Sequence, residues 1–240
     1  MRSAQKLIAG FYLGFAVSVV HMRFPCLALL AACTHEPLPP GAEHHHPHAM
    51  VHRFDHAEDW AKVFDDPARD AWQHPDEVIT ALGLAPDMTV ADVGAGTGYF
   101  TMRLARAVPG GRVIATDIEP DMVRYLGERA QREQHGNVQA VLSTADDPRL
   151  APGSVDRILV VDVWHHIAER ASYAKHLAAA LRPGGQIAIV DFTQEAAHGP
   201  PREHRLLPET IVGDLRSAGL DAEVAPTRLP DQFIAIGTRR

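Results

Sequence analysis

The chain has 240 residues, of which 46% are hydrophobic and 22% are charged. This composition supplies enough apolar material for one packed domain of roughly 150–200 residues, together with an appendage. The formal net charge of -7 argues against a nucleic-acid partner, because proteins that bind nucleic acids usually carry a basic footprint.

Residues 1–33 differ in character from the rest. Arg2 and Lys6 precede an apolar run over residues 7–20, and a second apolar run ends at Leu30-Ala31-Ala32-Cys33. A basic start, an apolar middle and a small-residue end are typical of an export signal. The last four residues resemble the lipobox of bacterial lipoproteins, which implies a lipidated Cys33, membrane attachment and a place in the cell envelope.

Two alternatives to this signal stay open. One is a single membrane anchor, although residues 7–20 are shorter than the ~20 residues that a spanning helix needs. The other is a mis-called start of the chain, which would leave the protein in the cytoplasm. Both cysteines, Cys26 and Cys33, lie in this segment, so we predict neither a disulfide nor thiol chemistry in the folded domain.

Residues 34–51 are predicted to form a linker. They contain four prolines and a histidine tract, His44, His45, His46 and His48. Proline density and polarity favour an extended tether. Histidine-rich tracts can bind metal ions, and the alternative is a solvated linker that binds metal only incidentally. We predict no metal site elsewhere.

Residues 52–240 are predicted to form the folded domain, in which residues 52–86 make a helical cap. Phe54, Trp60 and Phe64 share one face of a predicted helix. A second helix starts at Pro75 and ends near Gly83, which suits the usual positions of these two residue types.

A glycine-rich turn opens the core, residues 87–240. A β-branched and apolar run over residues 88–93 predicts a buried strand, and residues 99–108 carry apolar side chains at helical spacing. Gly94, Gly96 and Gly98 lie between them. Glycine allows backbone conformations that other residues avoid and lets a ligand approach the main chain.

The spacing of these glycines differs from the dinucleotide fingerprint G-x-G-x-x-G/A. With Asp92 it reads D-x-G-x-G-x-G and resembles the first motif of class I S-adenosylmethionine-dependent methyltransferases, most closely the small-molecule type similar to the ubiquinone/menaquinone group. The resemblance implies that S-adenosylmethionine is the cofactor and that this turn holds it, through Asp92, Gly94, Ala95, Gly96 and Gly98. It also implies a cap that closes over the cofactor, with Trp60, Trp72 and Gln73 as candidate wall residues.

Acidic residues follow the next two strands. Asp117 ends the predicted strand 112–116, about 20 residues beyond the glycines, where a carboxylate holds a ribose diol. By the resemblance, Ile118 packs on the adenine. The resemblance also implies that Asp146, which follows the predicted strand 137–142, accepts a hydrogen bond from the adenine amino group.

The fourth predicted strand, residues 156–161, leads to Asp162, His165 and His166. The resemblance places this segment between the cofactor methyl group and the acceptor, and it counts Asp162 among the cofactor-binding residues. A neutral imidazole can take a proton from an acceptor, so His165 and His166 are candidate bases. The alternative is that one histidine caps the next helix and the other lines the pocket.

Alternating strands and helices predict an α/β fold. The last two strands, residues 220–226 and 232–238, are joined by a short turn and must therefore be antiparallel. We expect a doubly wound, Rossmann-like, seven-stranded sheet with an antiparallel last strand and helices on both faces. Residues 192–207, which follow the fifth strand, are the candidate acceptor lid.

The predicted activity is S-adenosylmethionine-dependent methyl transfer to a small-molecule acceptor by in-line displacement. Two alternatives stay open. A nicotinamide oxidoreductase is disfavoured by the glycine spacing and by Asp92. The second alternative is a non-catalytic envelope protein of the same fold that binds metal through its histidine-rich segment.

Overall fold

The computed structural model describes Phe54 and residues 56–240. The predicted export signal with Cys33, the histidine tract and Asp55 lie outside the described residues.

A seven-stranded sheet forms the centre of the described chain. Its strand order is β3-β2-β1-β4-β5-β7-β6, and all adjacent pairs up to β5 are parallel. β7 runs antiparallel to both β5 and β6, as the short final turn predicts. The strands are β1 (Thr89–Val93), β2 (Arg112–Asp117), β3 (Val138–Leu142), β4 (Val155–Val161), β5 (Leu181–Phe192), β6 (Asp221–Ala225) and β7 (Gln232–Thr238).

Helices cover both faces of the sheet, so the predicted fold class is confirmed. The side chains of β1 alternate between two apolar cores, and all five of its residues are buried. One core contains side chains of α3 and α4, with α5 beside them, and the other contains side chains of α6 and α7. The helices are α1 (Ala57–Phe64), α2 (Asp70–Gln73), α3 (Pro75–Ala81), α4 (Thr101–Ala107), α5 (Pro120–Arg132), α6 (Arg170–Ala180) and α7 (Pro208–Ser217).

Two elements begin elsewhere than the sequence predicts. β5 starts at Leu181 rather than at 186, because Leu181 pairs with Val155 across a register shift before the regular pairing of Gln186 with Arg157. α6 starts at Arg170 rather than at 167, because Trp164–His166 form a separate 3-10 turn. The first difference depends on a contact between two strands, and the second is local.

Among the described residues, no helix combines the length and the apolar character needed to cross a bilayer.

The turn before β2 packs tightly against the residues that precede β1. The Gly110 amide donates to the Pro86 carbonyl at 2.9 Å, and the Arg112 amide donates to the Met88 carbonyl at 3.1 Å. A Cβ added to Gly111 would lie 1.9 Å from the Met88 carbonyl oxygen, whereas one added to Gly110 would lie 3.4 Å from its nearest neighbour.

We therefore expect Gly111→Ala to lower the free energy of unfolding by about 2–4 kcal/mol, because the clash is with backbone that cannot rotate away. Gly110→Ala is the matched control and should change it by less than about 1 kcal/mol. Urea unfolding of both variants measures the difference. Equal stability of the two variants would contradict the packing described for this turn.

Candidate functional site

The functional candidates converge at one edge of the sheet. Because β1, β2, β4 and β5 are parallel, the segments that follow them meet at their carboxyl ends, where doubly wound sheets bind ligands. The glycine turn follows β1, Asp117 ends β2, Asp162 and His165 follow β4, and Asp191 lies near the end of β5.

Gly96 differs from the other two glycines of the turn in its surroundings. All have φ in the left-handed region, 73° for Gly94, 54° for Gly96 and 94° for Gly98. A Cβ on Gly94 would lie 2.3 Å from the Val163 side chain, so that glycine serves close packing. A Cβ on Gly96 would meet only the Phe64 ring, at 3.6 Å, and Gly96 is half-buried. Gly96 therefore presents main chain that a ligand can approach.

Asp117 is fixed beside Gly96. Its two carboxylate oxygens accept hydrogen bonds from the Gly96 amide at 2.8 Å and the Glu119 amide at 3.0 Å. Burial raises the pKa of Asp117, although these amide bonds oppose the rise. A carboxylate has about four acceptor positions, so Asp117 retains capacity for two ligand hydroxyls.

Other groups around Asp117 also suit a nucleoside. Ile118 directly follows it and is 52% exposed, which leaves an apolar surface for a flat base. Asp146 lies on an exposed turn after β3, where the Thr144 hydroxyl donates to it at 2.6 Å.

Asp92 lies deeper than the sequence interpretation implies. Its side chain is part of the buried strand β1, the residue is 3% exposed, and it accepts a hydrogen bond from the Thr101 hydroxyl at 2.6 Å. Burial raises the pKa of Asp92 to about 6, despite the Thr101 bond. The carboxylate therefore connects β1 to the start of α4.

This pKa gives a testable pH dependence of stability. A carboxyl group with a raised folded-state pKa contributes stability below its unfolded value of ~3.9, and the contribution is lost as the pH rises through about 6. The difference of about 2 in pKa corresponds to roughly 3 kcal/mol at most. We expect Asp92→Asn to raise the melting temperature at pH 7.5 by roughly 6–12 °C at most, and by much less at pH 4.5.

The control is Asp156→Asn. The Asp156 side chain is also partly buried, but the Arg182 guanidinium at 2.6 Å and the Thr89 amide hold its pKa below the usual value. Its removal should therefore lower the melting temperature at pH 7.5. A melting temperature of Asp92→Asn that differs from the wild type equally at both pH values would refute the interpretation.

A closed ring of four polar side chains joins the cap to the sheet. Nη2 of Arg69 donates to the side-chain amide oxygen of Gln73 at 2.9 Å and to Asp162 Oδ2 at 3.2 Å. Gln73 donates to Gln232, and Gln232 donates to the second oxygen of Asp162. Gln73 and Gln232 are 0% and 1% exposed. Burial raises the pKa of Asp162 to about 6, and the Arg69 charge opposes the rise.

The histidine pair divides into two unlike residues. Nδ1 of His165 lies 2.9 Å from Asp191 Oδ1, and the two side chains are 4% and 0% exposed. Burial lowers the pKa of His165, but the hydrogen bond and charge of Asp191 outweigh it, so the net pKa is above the ordinary value. His166 is exposed, and its ring centroid lies 4.2 Å from that of His165.

Sequence reasoning identified Gln73 and His165 but missed Arg69, Gln232 and Asp191. Asp191 had a recognisable signal, since it lies at the carboxyl end of an apolar strand, as Asp117 and Asp162 do. Within residues 56–240, no group of three or more histidine, cysteine, aspartate or glutamate residues is placed to hold a metal ion.

Comparisons with known proteins agree with this geometry. Residues 90–185 match the sequence profile of a family described as a methyltransferase domain. An uncharacterized methyltransferase of Mycobacterium tuberculosis is 38% identical over 130 residues, covering 54% of this chain and 50% of that protein. A demethylmenaquinone methyltransferase of Tropheryma whipplei is 33% identical over 112 residues, covering 47% and 45%. The chain spans about half the length of the curated relatives it matches.

A solved structure covers more of the fold. A SAM-dependent methyltransferase from Aquifex aeolicus superposes with a TM-score of 0.71 at 28% sequence identity, over 76% of this chain and 98% of that one. The family match and the fold support S-adenosylmethionine as the cofactor. Residues 90–185 thus match the methyltransferase-domain family, and the described chain has the fold of class I S-adenosylmethionine-dependent methyltransferases.

Proposed function

We propose that this protein transfers a methyl group from S-adenosylmethionine to a small-molecule acceptor by in-line displacement. The observation that carries the proposal is the convergence of Gly96, Asp117 and the His165–Asp191 pair at the carboxyl ends of parallel strands. When bound, the cofactor supplies a methyl group activated by a positive sulfonium. The chain aligns the two reactants and excludes water, effects that supply several kcal/mol.

The nucleoside end of the cofactor is assigned to the glycine turn and the acids after β2 and β3. Asp117, held by the Gly96 amide, accepts from the ribose hydroxyls, and Ile118 packs on the adenine. Asp146 accepts from the adenine amino group. The exposed apolar surface of Ile118 and the spare acceptor capacity of Asp117 support this assignment.

The amino-acid end is assigned to Asp162 and Arg69. An α-amino acid carries an ammonium and a carboxylate, and these two side chains present the complementary charges 3.2 Å apart. The Arg69 guanidinium is further oriented by the Tyr99 ring, whose centroid lies 4.1 Å away. A planar guanidinium suits a carboxylate better than a point charge does.

Two ligands that differ only in this end test the assignment. S-adenosylhomocysteine carries the amino-acid end, whereas 5′-methylthioadenosine lacks it. We expect Arg69→Gln to lower the affinity for S-adenosylhomocysteine by roughly 10- to 100-fold, because a charge-assisted hydrogen bond is worth about 1.5–3 kcal/mol. The affinity for 5′-methylthioadenosine should change by less than about threefold. Calorimetric titration measures both affinities.

Arg103→Gln is the matched control. Arg103 also lies over the Tyr99 ring, at 4.0 Å, but it pairs with Asp70 rather than with Asp162. Both ligands should bind this variant as they bind the wild type. An equal loss of both ligands in Arg69→Gln would show that Arg69 supports the fold of the site and does not contact the amino-acid end.

We further propose that His165 is the general base. Asp191 holds Nδ1, so Nε2 is the nitrogen that accepts a proton from the acceptor hydroxyl, thiol or amine as the methyl group is transferred. Asp191 is a positioning residue, because it acts through the imidazole. Its buried negative charge also stabilises the imidazolium that forms.

The pH profile of kcat/KM tests this role. The base must be neutral, so activity should rise with pH and level off above the pKa of His165, which lies above its ordinary value. Asp191→Asn removes the charge that raises this pKa, so the rise of kcat/KM with pH should occur at lower pH. The plateau value of kcat/KM should fall about 100-fold or more. His165→Gln should lose a similar factor.

His166→Gln is the control. Its kcat/KM should rise over the same pH range as that of the wild type and should reach most of the wild-type plateau value. A His165→Gln variant within about threefold of wild-type kcat would mean that the reaction needs no base, and that in-line alignment alone is sufficient.

The cell-envelope location, lipidation of Cys33 and metal binding by His44–His48 stay predictions, since these residues lie outside the described ones.

A further inference from the structure

An aromatic contact joins the helical cap to residues 193–205, the part of the predicted lid segment 192–207 that we call the lid from here on. Trp72 of α2 stacks on His198 of the lid, with ring centroids 4.9 Å apart and planes 12° from parallel. His198 is itself held by the Asp231 carboxylate through Nδ1. Asp231 also accepts the Ala197 amide at 3.0 Å. The cap therefore contacts a part of the lid that is anchored beside β7.

A single guanidinium ties the backbone of the lid together. The Arg205 guanidinium donates hydrogen bonds to the backbone carbonyls of Thr193, Gln194, Ala196, His198 and Pro200. Gly199 has φ 90°, and a Cβ at this position would lie 2.6 Å from the Phe192 ring. The lid backbone thus lies directly on Phe192, and it cannot shift locally without breaking several of these contacts.

Phe192 connects the lid to the proposed base. Its ring centroid lies 6.4 Å from that of His165 and 6.0 Å from that of Trp72. The lid therefore covers the acceptor side of the site, next to the His165–Asp191 pair.

Trp72 connects the lid to the proposed cofactor side. The Arg69 guanidinium lies 5.7 Å from the Trp72 ring centroid, and Gln73, the next residue after Trp72, belongs to the polar ring that includes Asp162. Arg69 therefore contacts Trp72 directly, Asp162 reaches it through Arg69, and His198 on the other side of the stack is part of the lid.

We propose that Trp72 and His198 are positioning residues that couple cofactor binding at the cap to closure of the lid over the acceptor side. The inference rests on the proposed function, because it takes the cofactor to bind Arg69 and Asp162. Ligand at these residues fixes the cap, the cap holds the Trp72–His198 stack, and the stack keeps the lid on Phe192. By linkage, a closed lid strengthens cofactor binding by the same factor.

Hydrogen exchange of the full chain, with and without saturating S-adenosylhomocysteine, tests the coupling. In the wild type, the ligand should slow amide exchange in the lid although the lid holds none of the assigned cofactor-binding residues. In Trp72→Ala, lid exchange without ligand should be about three- to tenfold faster, the range expected for loss of one stacked aromatic contact. At saturating concentration the ligand should occupy this variant without slowing lid exchange, and its affinity should be weaker by the coupling that is lost.

Further variants keep the test independent of one substitution. His198→Ala removes the stack from the lid side and should give the same uncoupling, whereas Trp72→Phe retains an aromatic face and should restore most of the response. His204→Ala is the matched control, because His204 is an exposed lid histidine. Its lid should respond as the wild-type lid does.

The outcomes separate the two proposals. A wild-type protein that binds no S-adenosylhomocysteine overturns both the proposed function and the coupling. Binding with an unresponsive lid, or a Trp72→Ala lid that responds like the wild type, overturns the coupling and leaves the proposed function standing.

Discussion

The site depends on the hydrogen bonds that the Asp162 carboxylate accepts. This carboxylate accepts hydrogen bonds from Arg69 and Gln232 on its two oxygens, and through Gln73 these side chains close a ring between the cap, the carboxyl end of β4 and the amino end of β7. Loss of any member leaves a buried polar group without its partner, and that costs more than a hydrogen bond contributes. The ring therefore specifies one position for the cap.

Acidic groups concentrate at this edge of the sheet at a cost to stability. Asp92 and Asp162 have pKa values raised to about 6 by burial, and Asp162 also adopts φ 60°. A fold selected for stability alone would not keep two such carboxylates close to Asp117 and Asp191. Raised pKa values and a strained backbone are characteristic of functional sites, and here they lie where the cofactor is assigned.

The sequence was sufficient for features that depend on local pattern. The apolar run before Gly94 predicted β1, and the short turn before β7 predicted its antiparallel direction. The β5 bulge at Leu181 was not predictable, because it depends on pairing with Val155 of another strand. The polar ring was not predictable for the same reason, since Gln73 and Gln232 are 159 positions apart in the chain. Their glutamine identity carries no signal until the cap has packed on the sheet.

Two histidine–aspartate pairs in the described chain have different exposures, and this difference separates their tasks. The His165 and Asp191 side chains are 4% and 0% exposed, whereas those of His198 and Asp231 are 29% and 10% exposed. A base must be shielded from water to take its proton from the acceptor, and a nearly buried pair meets that need. The partly exposed pair joins His198 of the lid to Asp231 beside β7, which suits the anchor of a lid that we propose to open and close. In the two proposals the same residue types thus serve proton transfer in one place and lid closure in the other, and their burial is the observation that separates them.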